Sequence, residues 1–259
     1  MARLSKLSRS VEGKIAIVTG AASGMGRATA HLFADEGMNV IVTDLRAESV
    51  EAVVAEIRGA GGSARGWAMD VQDVDAVRRV VAEGAAHFGG LDIVINNAGA
   101  VFPTPLESPD FEENWAKSLD VLLTGQTRVV RAALPFLRQS TSPRIVNVAS
   151  TEGFGATKYG SGYTAAKHGV IGWTRSLAVE LGSEGIPVNC IAPGPIRTGI
   201  TDAIPDEHKA VFAKRRTALG RYGEPEEVAH ATLNFCLPAM TFVTGAVLVV
   251  DGGLLVRNA

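Results

Sequence analysis

Short apolar runs rich in valine and isoleucine recur along the chain and alternate with segments of helical periodicity. The runs are mostly continuous rather than alternating in polarity, which is typical of strands covered on both faces of a parallel sheet. They cover residues 15–19, 39–43, 64–69, 92–96, 144–149, 186–192 and 246–250. This alternation of strand and helix predicts an α/β chain whose parallel strands are joined by right-handed crossovers.

The helical segments have recognisable ends. Gly37 is a predicted C-cap for a helix over 25–36, and Asp73 is placed to cap a helix over 73–88. Further helices are predicted over 48–58, 109–123, 125–138 and 163–182, the second and third of them as one long helix or two. No internal repeat or change of composition divides the chain. We therefore predict a flexible N-terminal extension over 1–12 and one domain over 13–259.

Composition narrows the functional classes. The 259 residues are 46% hydrophobic and 20% charged, which indicates a globular protein, and 29 of them are glycine. A net charge of −2 provides no basic excess for phosphates, so we expect no nucleic-acid partner. Two cysteines cannot form a disulfide framework, and we expect a reducing, cytoplasmic location.

Neither a membrane span nor a metal site is predicted. The first 14 residues have no apolar core of the kind that secretory signals carry. Residues 231–250 are uncharged over a bilayer-spanning length, but Asn234, Pro238 and Gly245 interrupt them. A buried helix, a turn and a core strand explain this segment better than a membrane helix. None of the five histidines has the spacing of a metal ligand.

A glycine-rich turn follows the first strand and opens the first helix. Its spacing, G-x-x-x-G-x-G, lets a backbone turn tightly and present helix N–H groups to a pyrophosphate. Asp44 ends the second strand, 18 residues after the last of these glycines. An acid there accepts hydrogen bonds from ribose hydroxyls and repels a 2′-phosphate, which favours NAD over NADP. The predicted contacts are Gly20, Ser23, Gly24, Met25, Gly26, Asp44 and Leu45.

Three side chains suggest acid–base chemistry. Tyr163 and Lys167 are four residues apart on a predicted helix, so they share a face, and Ser150 ends the fifth strand. A tyrosine has a pKa of ~10, and a nearby ammonium stabilises its phenolate. Tyr163 is therefore the predicted base, Lys167 the group that lowers its pKa, and Ser150 the donor to a substrate oxygen. Tyr159 has no lysine four residues on and is not selected.

In this order and spacing, several segments resemble the short-chain dehydrogenase/reductase family. They are TGAASGMG (19–26), DV (70–71), NNAG (96–99), Ser150, YTAAK (163–167), PGPIRT (193–198) and VDGG (250–253), and the likeness runs from about 13 to 253. The resemblance implies a single-domain Rossmann fold with a seven-stranded parallel sheet, helices on both faces and a homotetramer. It also implies an alcohol or ketone as small-molecule substrate, with NAD as cofactor.

The resemblance adds further cofactor contacts. Lys167 is expected to hold the nicotinamide ribose, beside Tyr163. The remaining contacts implied by position are Asp70, Val71, Asn97, Ala98, Gly99, Pro193, Gly194, Ile196 and Thr198. For Asn96 and Asn97, a structural role that ties neighbouring strands is the competing interpretation.

One position departs from the family pattern. Leu122 stands where relatives carry an asparagine that helps to hold water in a proton relay beneath the lysine. Leucine forms no hydrogen bonds, and an apolar pocket stays dry. We therefore expect proton exchange with solvent to be altered while hydride transfer survives, unless another group such as Thr124 substitutes.

Two alternative functions stay open. One is an NADPH-dependent reductase of 3-oxoacyl thioesters or other carbonyls, which Asp44 and the uncharged Ser23 oppose and Arg46 leaves room for. The other is a nucleotide-binding protein with weakened catalysis, suggested only by Leu122. Around the substrate, a basic run at 214–216 could meet an acidic group. The candidate apolar walls are Phe102, Phe154, Ile204 and Phe212.

Overall fold

The computed structural model describes residues 4–258, which form one seven-stranded parallel sheet with helices on both faces. The spatial strand order is β3-β2-β1-β4-β5-β6-β7. This order reverses direction between β1 and β4, which creates the crevice where open α/β sheets bind ligands. The strands are β1 Ile15–Thr19, β2 Asn39–Asp44, β3 Ser63–Ala68, β4 Ile93–Asn96, β5 Arg144–Val148, β6 Val188–Pro193 and β7 Val247–Val250. The predicted fold class is confirmed.

Burial explains why the strand prediction succeeded. In the sheet centre, Ile17 pairs with Ile41 on one side and with Val94 on the other, and all three are fully buried. A strand enclosed by helices on both faces has no polar face to alternate with, so its apolar run is continuous. The edge strands β3 and β7 are more exposed.

The helices follow the predicted pattern closely. Asp73 caps α3 as predicted, because its carboxylate accepts from the N–H groups of Asp75 and Ala76 at 2.9 and 3.0 Å. Gly37 follows α1 with φ +80°, the left-handed conformation that ends a helix. The helices are α1 Gly24–Asp35, α2 Ala47–Gly59, α3 Val74–Phe88, α4 Phe111–Leu119, α5 Gly125–Leu137, α6 Ser161–Gly182, α7 Asp206–Arg216 and α8 Pro225–Cys236.

The long helix across residues 111–137 is continuous but contains a π turn. Residues Asp120–Thr124 form this turn, in which the Gly125 N–H donates to the Asp120 carbonyl five residues earlier. Arg128 spans it with an ion pair to Asp120 at 2.7 Å. Leu122 lies in the middle of the turn and is completely buried. Such turns are rare and concentrate at functional sites.

The predicted extension over 1–12 falls partly outside the described residues, which begin at 4. Within them, Val11 is buried in the core, so packing begins before the predicted boundary at residue 13. Residues 231–250 form the end of α8, a turn and β7, as expected. Among residues 4–258 no helix is long and apolar enough to cross a membrane. The homotetramer stays a prediction.

Candidate active site

One cavity of about 690 Å³ opens along the carboxyl ends of the strands. Residues at or just after the ends of β1 to β6 border it, because parallel strands bring all their carboxyl ends to one edge. The predicted cofactor contacts that line it are Gly20, Ser23, Gly24, Met25, Asp44, Leu45, Asp70, Val71, Asn97, Ala98, Gly99, Tyr163, Lys167 and Thr198. The sequence-predicted site is thus largely assembled in one place.

The glycine-rich turn has room for its glycines and for nothing larger. Gly20 has φ +65°, and a Cβ there would lie 2.7 Å from the Ala98 Cα. A Cβ on Gly26 would lie 2.1 Å from the carbonyl oxygen of Gly20. Gly24 has φ +52° and faces the Thr198 side chain across the cavity. A backbone packed this closely leaves its surface open for a pyrophosphate at the N-terminus of α1.

Asn97 has a structural role in this turn. Its side-chain amide donates to the carbonyls of Thr19 and Gly20 at 2.9 and 3.1 Å. The Thr19 hydroxyl in turn accepts from the Ala98 N–H at 3.0 Å. These bonds fasten the loop after β4 to the turn after β1. Asn97 borders the cavity, but its amide N–H groups are directed into the protein.

Asp44 is the last residue of β2, three strands from β5 in the sheet, and lies beside the glycine-rich turn. One carboxylate oxygen accepts from the Ala22 N–H at 3.0 Å and the other from the Leu45 N–H at 2.7 Å. These bonds fix the carboxylate and leave further lone pairs on both oxygens. The nearby Arg27 is occupied by a bidentate ion pair with Glu56 at 2.9 and 2.8 Å.

Tyr163 and Lys167 both border the cavity from α6. The Lys167 Nζ lies 5.5 Å from the centre of the Tyr163 ring and donates to the Val148 carbonyl at 2.8 Å. Ser150 begins a short 3-10 turn, and its hydroxyl accepts from the Glu152 N–H at 3.1 Å. Glu152 itself accepts from the hydroxyls of Thr157 and Thr164. Tyr163 and Lys167 therefore share the cavity wall, and the Ser150 side chain reaches Tyr163 through a hydrogen bond.

Burial controls the titration of this group. Burial raises the pKa of Tyr163, and a hydrogen bond with the Ser150 side chain acts in the opposite direction. Burial lowers the pKa of Lys167 to about 8, so its ammonium is held in an environment that disfavours charge. In the protein alone, desolvation of the phenolate is the largest effect on Tyr163, so its pKa is raised overall. The expected lowering by Lys167 stays a prediction for the enzyme with its cofactor bound.

Several predicted contacts lie outside the cavity lining. Gly26 packs beneath the turn, and Ser150 is buried just behind the cavity wall. A Cβ on Gly194 would lie 2.6 Å from Asp251, so this glycine serves the packing of β6 on β7. Ile196 is buried and bridges to Gly223, and Pro193 is the last residue of β6. Their contact with a cofactor stays a prediction.

The predicted substrate walls are only partly correct. Phe102 lines the cavity, whereas Phe154, Ile204 and Phe212 do not. The apolar lining instead includes Val101, Pro103, Val121, Leu122 and Ile200. The basic run at 214–216 ends α7, away from this lining, so the acidic-substrate hypothesis gains no geometric support. Tyr159 is half exposed and also stands outside the lining.

A buried polar layer lies behind the cavity; in it Asn96 ties β4 to β5, the structural role considered from the sequence, whereas Gln126, Asn147 and Thr174 were missed. The Gln126 side-chain N–H donates to the Val148 carbonyl at 3.4 Å. Nearby, Asn96 donates to Asn147 at 2.8 Å, and Asn147 donates to Thr174 at 3.0 Å. A lone glutamine in a helix matches no motif. The available signal was a polar residue four positions after the unusual Leu122.

Comparisons with known proteins agree with this geometry. A family model described as enoyl-(acyl carrier protein) reductase matches residues 20–255. The chain is 37% identical to the 3-oxoacyl-[acyl-carrier-protein] reductase FabG of Thermotoga maritima, over 95% of this chain and 99% of that protein. It is 40% identical to the cis-4-hydroxycyclohexanecarboxylate dehydrogenase of Sinomonas cyclohexanicum, over 93% and 96%.

Solved structures show the same relationship. A dehydrogenase/reductase from Sinorhizobium meliloti 1021 superposes with a TM-score of 0.89 at 35% identity and covers 97% of this chain and 98% of its own. The glycine-rich turn, Ser150, Tyr163 and Lys167 all lie within the residues that the family model matches. The chain therefore belongs to the short-chain dehydrogenase/reductase family, whose members are oxidoreductases that use a nicotinamide cofactor, NAD or NADP.

Proposed function

We propose that the protein is an NAD-dependent oxidoreductase that interconverts a secondary alcohol and a ketone. One observation carries the proposal. The same cavity is bordered by the fixed carboxylate of Asp44 at the end of β2 and, three strands along the sheet, by Tyr163 and Lys167 beside the end of β5. A dinucleotide is long enough to join a ribose-binding acid to a catalytic acid–base pair, and most smaller ligands are not.

The residues present fit such a cofactor. The turn at Gly20 and Gly24 suits the pyrophosphate, because a Cβ at either glycine would press on Ala98 or Thr198 and displace the backbone that faces the cavity. Asp44 would hold the adenosine ribose through its hydroxyls, and its charge opposes a 2′-phosphate. Ser23 offers no compensating charge, and Arg27 is paired with Glu56. When bound, the nicotinamide supplies one chemistry, the acceptance or donation of a hydride.

The protein supplies the proton chemistry and the orientation. The Tyr163 phenolate would take the proton of a substrate hydroxyl, and in the reverse direction the phenol would return it. The Ser150 hydroxyl would donate to the substrate oxygen and stabilise the charge that develops there. The Lys167 ammonium, held by the Val148 carbonyl, favours the phenolate and is available to a ribose hydroxyl.

The lining also suggests the character of the substrate. Val101, Phe102, Pro103 and Ile200 line the cavity from the two loops that follow β4 and β6. Apolar side chains gain from contact with hydrocarbon and impose a cost on buried charge. We therefore expect an apolar body around the reacting carbon.

A second candidate is an NADPH-dependent reductase of 3-oxoacyl thioesters. Relatives that carry the name 3-oxoacyl-[acyl-carrier-protein] reductase favour it. Arg46, which is exposed two residues after Asp44, also provides a charge for a 2′-phosphate. Asp44 opposes this candidate more directly, because its carboxylate borders the cavity itself.

A substrate panel tests the proposal. Secondary alcohols, ketones and a 3-oxoacyl thioester are incubated with each cofactor, and the absorbance of reduced nicotinamide is followed. We expect turnover of apolar alcohols or ketones with NAD or NADH. In Tyr163→Phe, kcat should fall by roughly 10²–10⁴-fold while NADH still binds, since the phenylalanine removes only the proton carrier. Turnover of the thioester with NADPH alone would favour the second candidate.

A further inference from the structure

The cavity continues beyond Asp44 to the loop that follows β3. In the sheet β3 lies beside β2 on the side away from β1, and Asp70, Val71 and Gln72 of this loop line the cavity. The Met69 N–H donates to the Asp44 carbonyl at 2.8 Å, which joins the loop to the end of β2. In the proposed function the adenosine ribose binds at Asp44 and the pyrophosphate at the turn after β1. The loop after β3 is then the remaining wall for the adenine.

This loop is held largely by its own short-range hydrogen bonds. The Asp70 carboxylate accepts from the Gln72 N–H at 2.8 Å, and the Asp70 carbonyl accepts from the Asp73 N–H at 3.1 Å. The next carbonyl, that of Val71, accepts instead from Arg128 Nη1 at 3.3 Å, 57 residues further along the chain. Because β3 is an edge strand, it has a neighbouring strand on one side only. The bond from Arg128 therefore supplies support from the other half of the chain.

Arg128 reaches Val71 from the helix that contains the π turn. Its Nη2 forms the ion pair with Asp120 at 2.7 Å, and its side chain is only 22% exposed. Arginine presents several N–H donors in a rigid planar group, so one guanidinium can hold both oxygens. The same helix meets the Val71 side chain at Gly125, where a Cβ would lie 2.8 Å from Val71 Cγ2. Helix α5 thus fixes Val71 through its carbonyl and through its side chain.

We propose that Arg128 is a positioning residue for the adenine end of the cofactor, acting through the Val71 carbonyl. The inference rests on the proposed function. Arg128 is not part of the cavity lining and its charge is paired with Asp120, so it is not placed to bind a phosphate. It holds the loop after β3 in place beside Asp44, so that ribose and adenine meet surfaces that are already formed. A wall ordered before binding spares the complex the entropy cost of ordering it.

Cofactor binding by Arg128→Met tests the role. Methionine fills part of the same space and donates no hydrogen bond, so the Val71 carbonyl loses its donor. We expect NADH and ADP-ribose to bind about tenfold more weakly, the effect of one hydrogen bond from a charged group. At saturating NAD, kcat should stay within about twofold of the unmodified enzyme, because the catalytic side chains are unchanged. NADH is titrated by nicotinamide fluorescence, and ADP-ribose, which lacks the nicotinamide, by calorimetry.

Hydrogen exchange in the cofactor-free protein, measured by NMR, reports on the loop without any ligand. In Arg128→Met the amides of residues 71–73 should exchange at least about threefold faster than in the unmodified protein. The amides of the glycine-rich turn should keep their exchange rates, because Asn97 braces that turn separately. Unchanged exchange at residues 71–73 would contradict the bracing of the loop by Arg128.

Arg138→Met is the matched control. Arg138 is the C-cap residue of the same helix and forms a bidentate ion pair with Glu184 at 2.6 and 2.9 Å, outside the cavity lining. The NADH affinity of this variant should be unchanged. Arg128→Lys keeps a charge beside Asp120 but replaces the planar group by one ammonium, and it should weaken NADH binding by about threefold. It also replaces Arg128→Met if the methionine variant does not fold.

Two results of the binding and kinetic measurements would overturn the role of Arg128. One is an NADH affinity equal to that of the unmodified protein in the folded Arg128 variant. The other is a fall in kcat as large as the fall in affinity, which would indicate a general distortion of the site. A failure of the unmodified protein to bind NADH and ADP-ribose would instead reject the proposed function. The exchange measurement would then still test the bond between Arg128 and Val71.

Discussion

The glycine-rich turn borders the cavity and the polar layer around Gln126 lies behind it, and the two regions are built in opposite ways. In the turn, backbone meets backbone, and Asn97 closes the contact with two hydrogen bonds. Behind Lys167, side chains from α5 and α6 converge on one carbonyl of β5, and the Gln126 Oε1 is left over. The first region excludes any added atom. The second holds buried polar groups whose pairing is incomplete.

This difference separates binding from chemistry. A surface of rigid backbone N–H groups binds a charged ligand without reorganisation, so it needs little besides correct shape. Proton transfer needs groups whose charge can change near neutral pH. Desolvation lowers the pKa of Lys167 to about 8, toward that range and at a cost in stability, whereas it raises the pKa of Tyr163. We therefore expect added volume in the turn to reduce stability and cofactor binding. In the polar layer we expect changes in charge to alter stability and its dependence on pH.

The largest effect is expected in the turn. In Gly26→Ala the new Cβ would lie 2.1 Å from the Gly20 carbonyl oxygen, a backbone atom that cannot move freely. Such overpacking should lower the free energy of unfolding by about 3 kcal/mol or more and abolish cofactor binding. Urea denaturation and NADH titration measure the two losses.

Gly59→Ala is the matched control for the turn. Gly59 ends α2, and in the described structure a Cβ there would have no neighbour within 4 Å. The substitution should raise the free energy of unfolding by about 0.5–1 kcal/mol, because alanine restricts the unfolded chain. An equal free energy of unfolding for Gly26→Ala and Gly59→Ala would contradict the close packing of the turn.

A smaller effect, with a pH signature, is expected behind the cavity. The folded pKa of Lys167 is about 8, against 10.5 for an ordinary lysine. Between these values the unfolded state binds more protons, so the contribution of Lys167 to stability increases as pH rises, by roughly 3 kcal/mol across the window. Lys167→Met should lack this rise. At pH ~7 it removes the cost of burying the ammonium, roughly 3 kcal/mol, but leaves the Val148 carbonyl without this donor, so the variant should be more stable by only roughly 1–2 kcal/mol.

The measurement is urea denaturation of both proteins across that pH range. The difference between the two curves isolates Lys167 from the other groups that titrate there. A difference that stays flat from pH ~8 to ~10.5 would mean that the lysine is not desolvated in the folded protein. The variant should also lack turnover.

The glycine-rich turn could be predicted from the sequence, whereas the polar layer could not. The strands and the glycine-rich turn depend on residues adjacent in the chain, so apolar runs and spacing located them within a residue or two. The π turn over Asp120–Thr124 matches no sequence pattern. The hydrogen bond of Gln126 forms with Val148 on β5, which is 22 residues further along the chain. Gly194 and Ile196 belong to the family motif at 193–198 and were predicted as cofactor contacts. In the structure Gly194 packs against Asp251 and Ile196 bridges to Gly223.

The central claim is that Asp44 makes this an NAD enzyme, and paired titrations with NADH and NADPH, read by nicotinamide fluorescence, test it most directly. We expect NADH to bind at least about tenfold more tightly, because the fixed carboxylate accepts from ribose hydroxyls and repels a 2′-phosphate. Asp44→Ser should narrow the difference. Equal or tighter binding of NADPH by the unmodified protein would contradict the account.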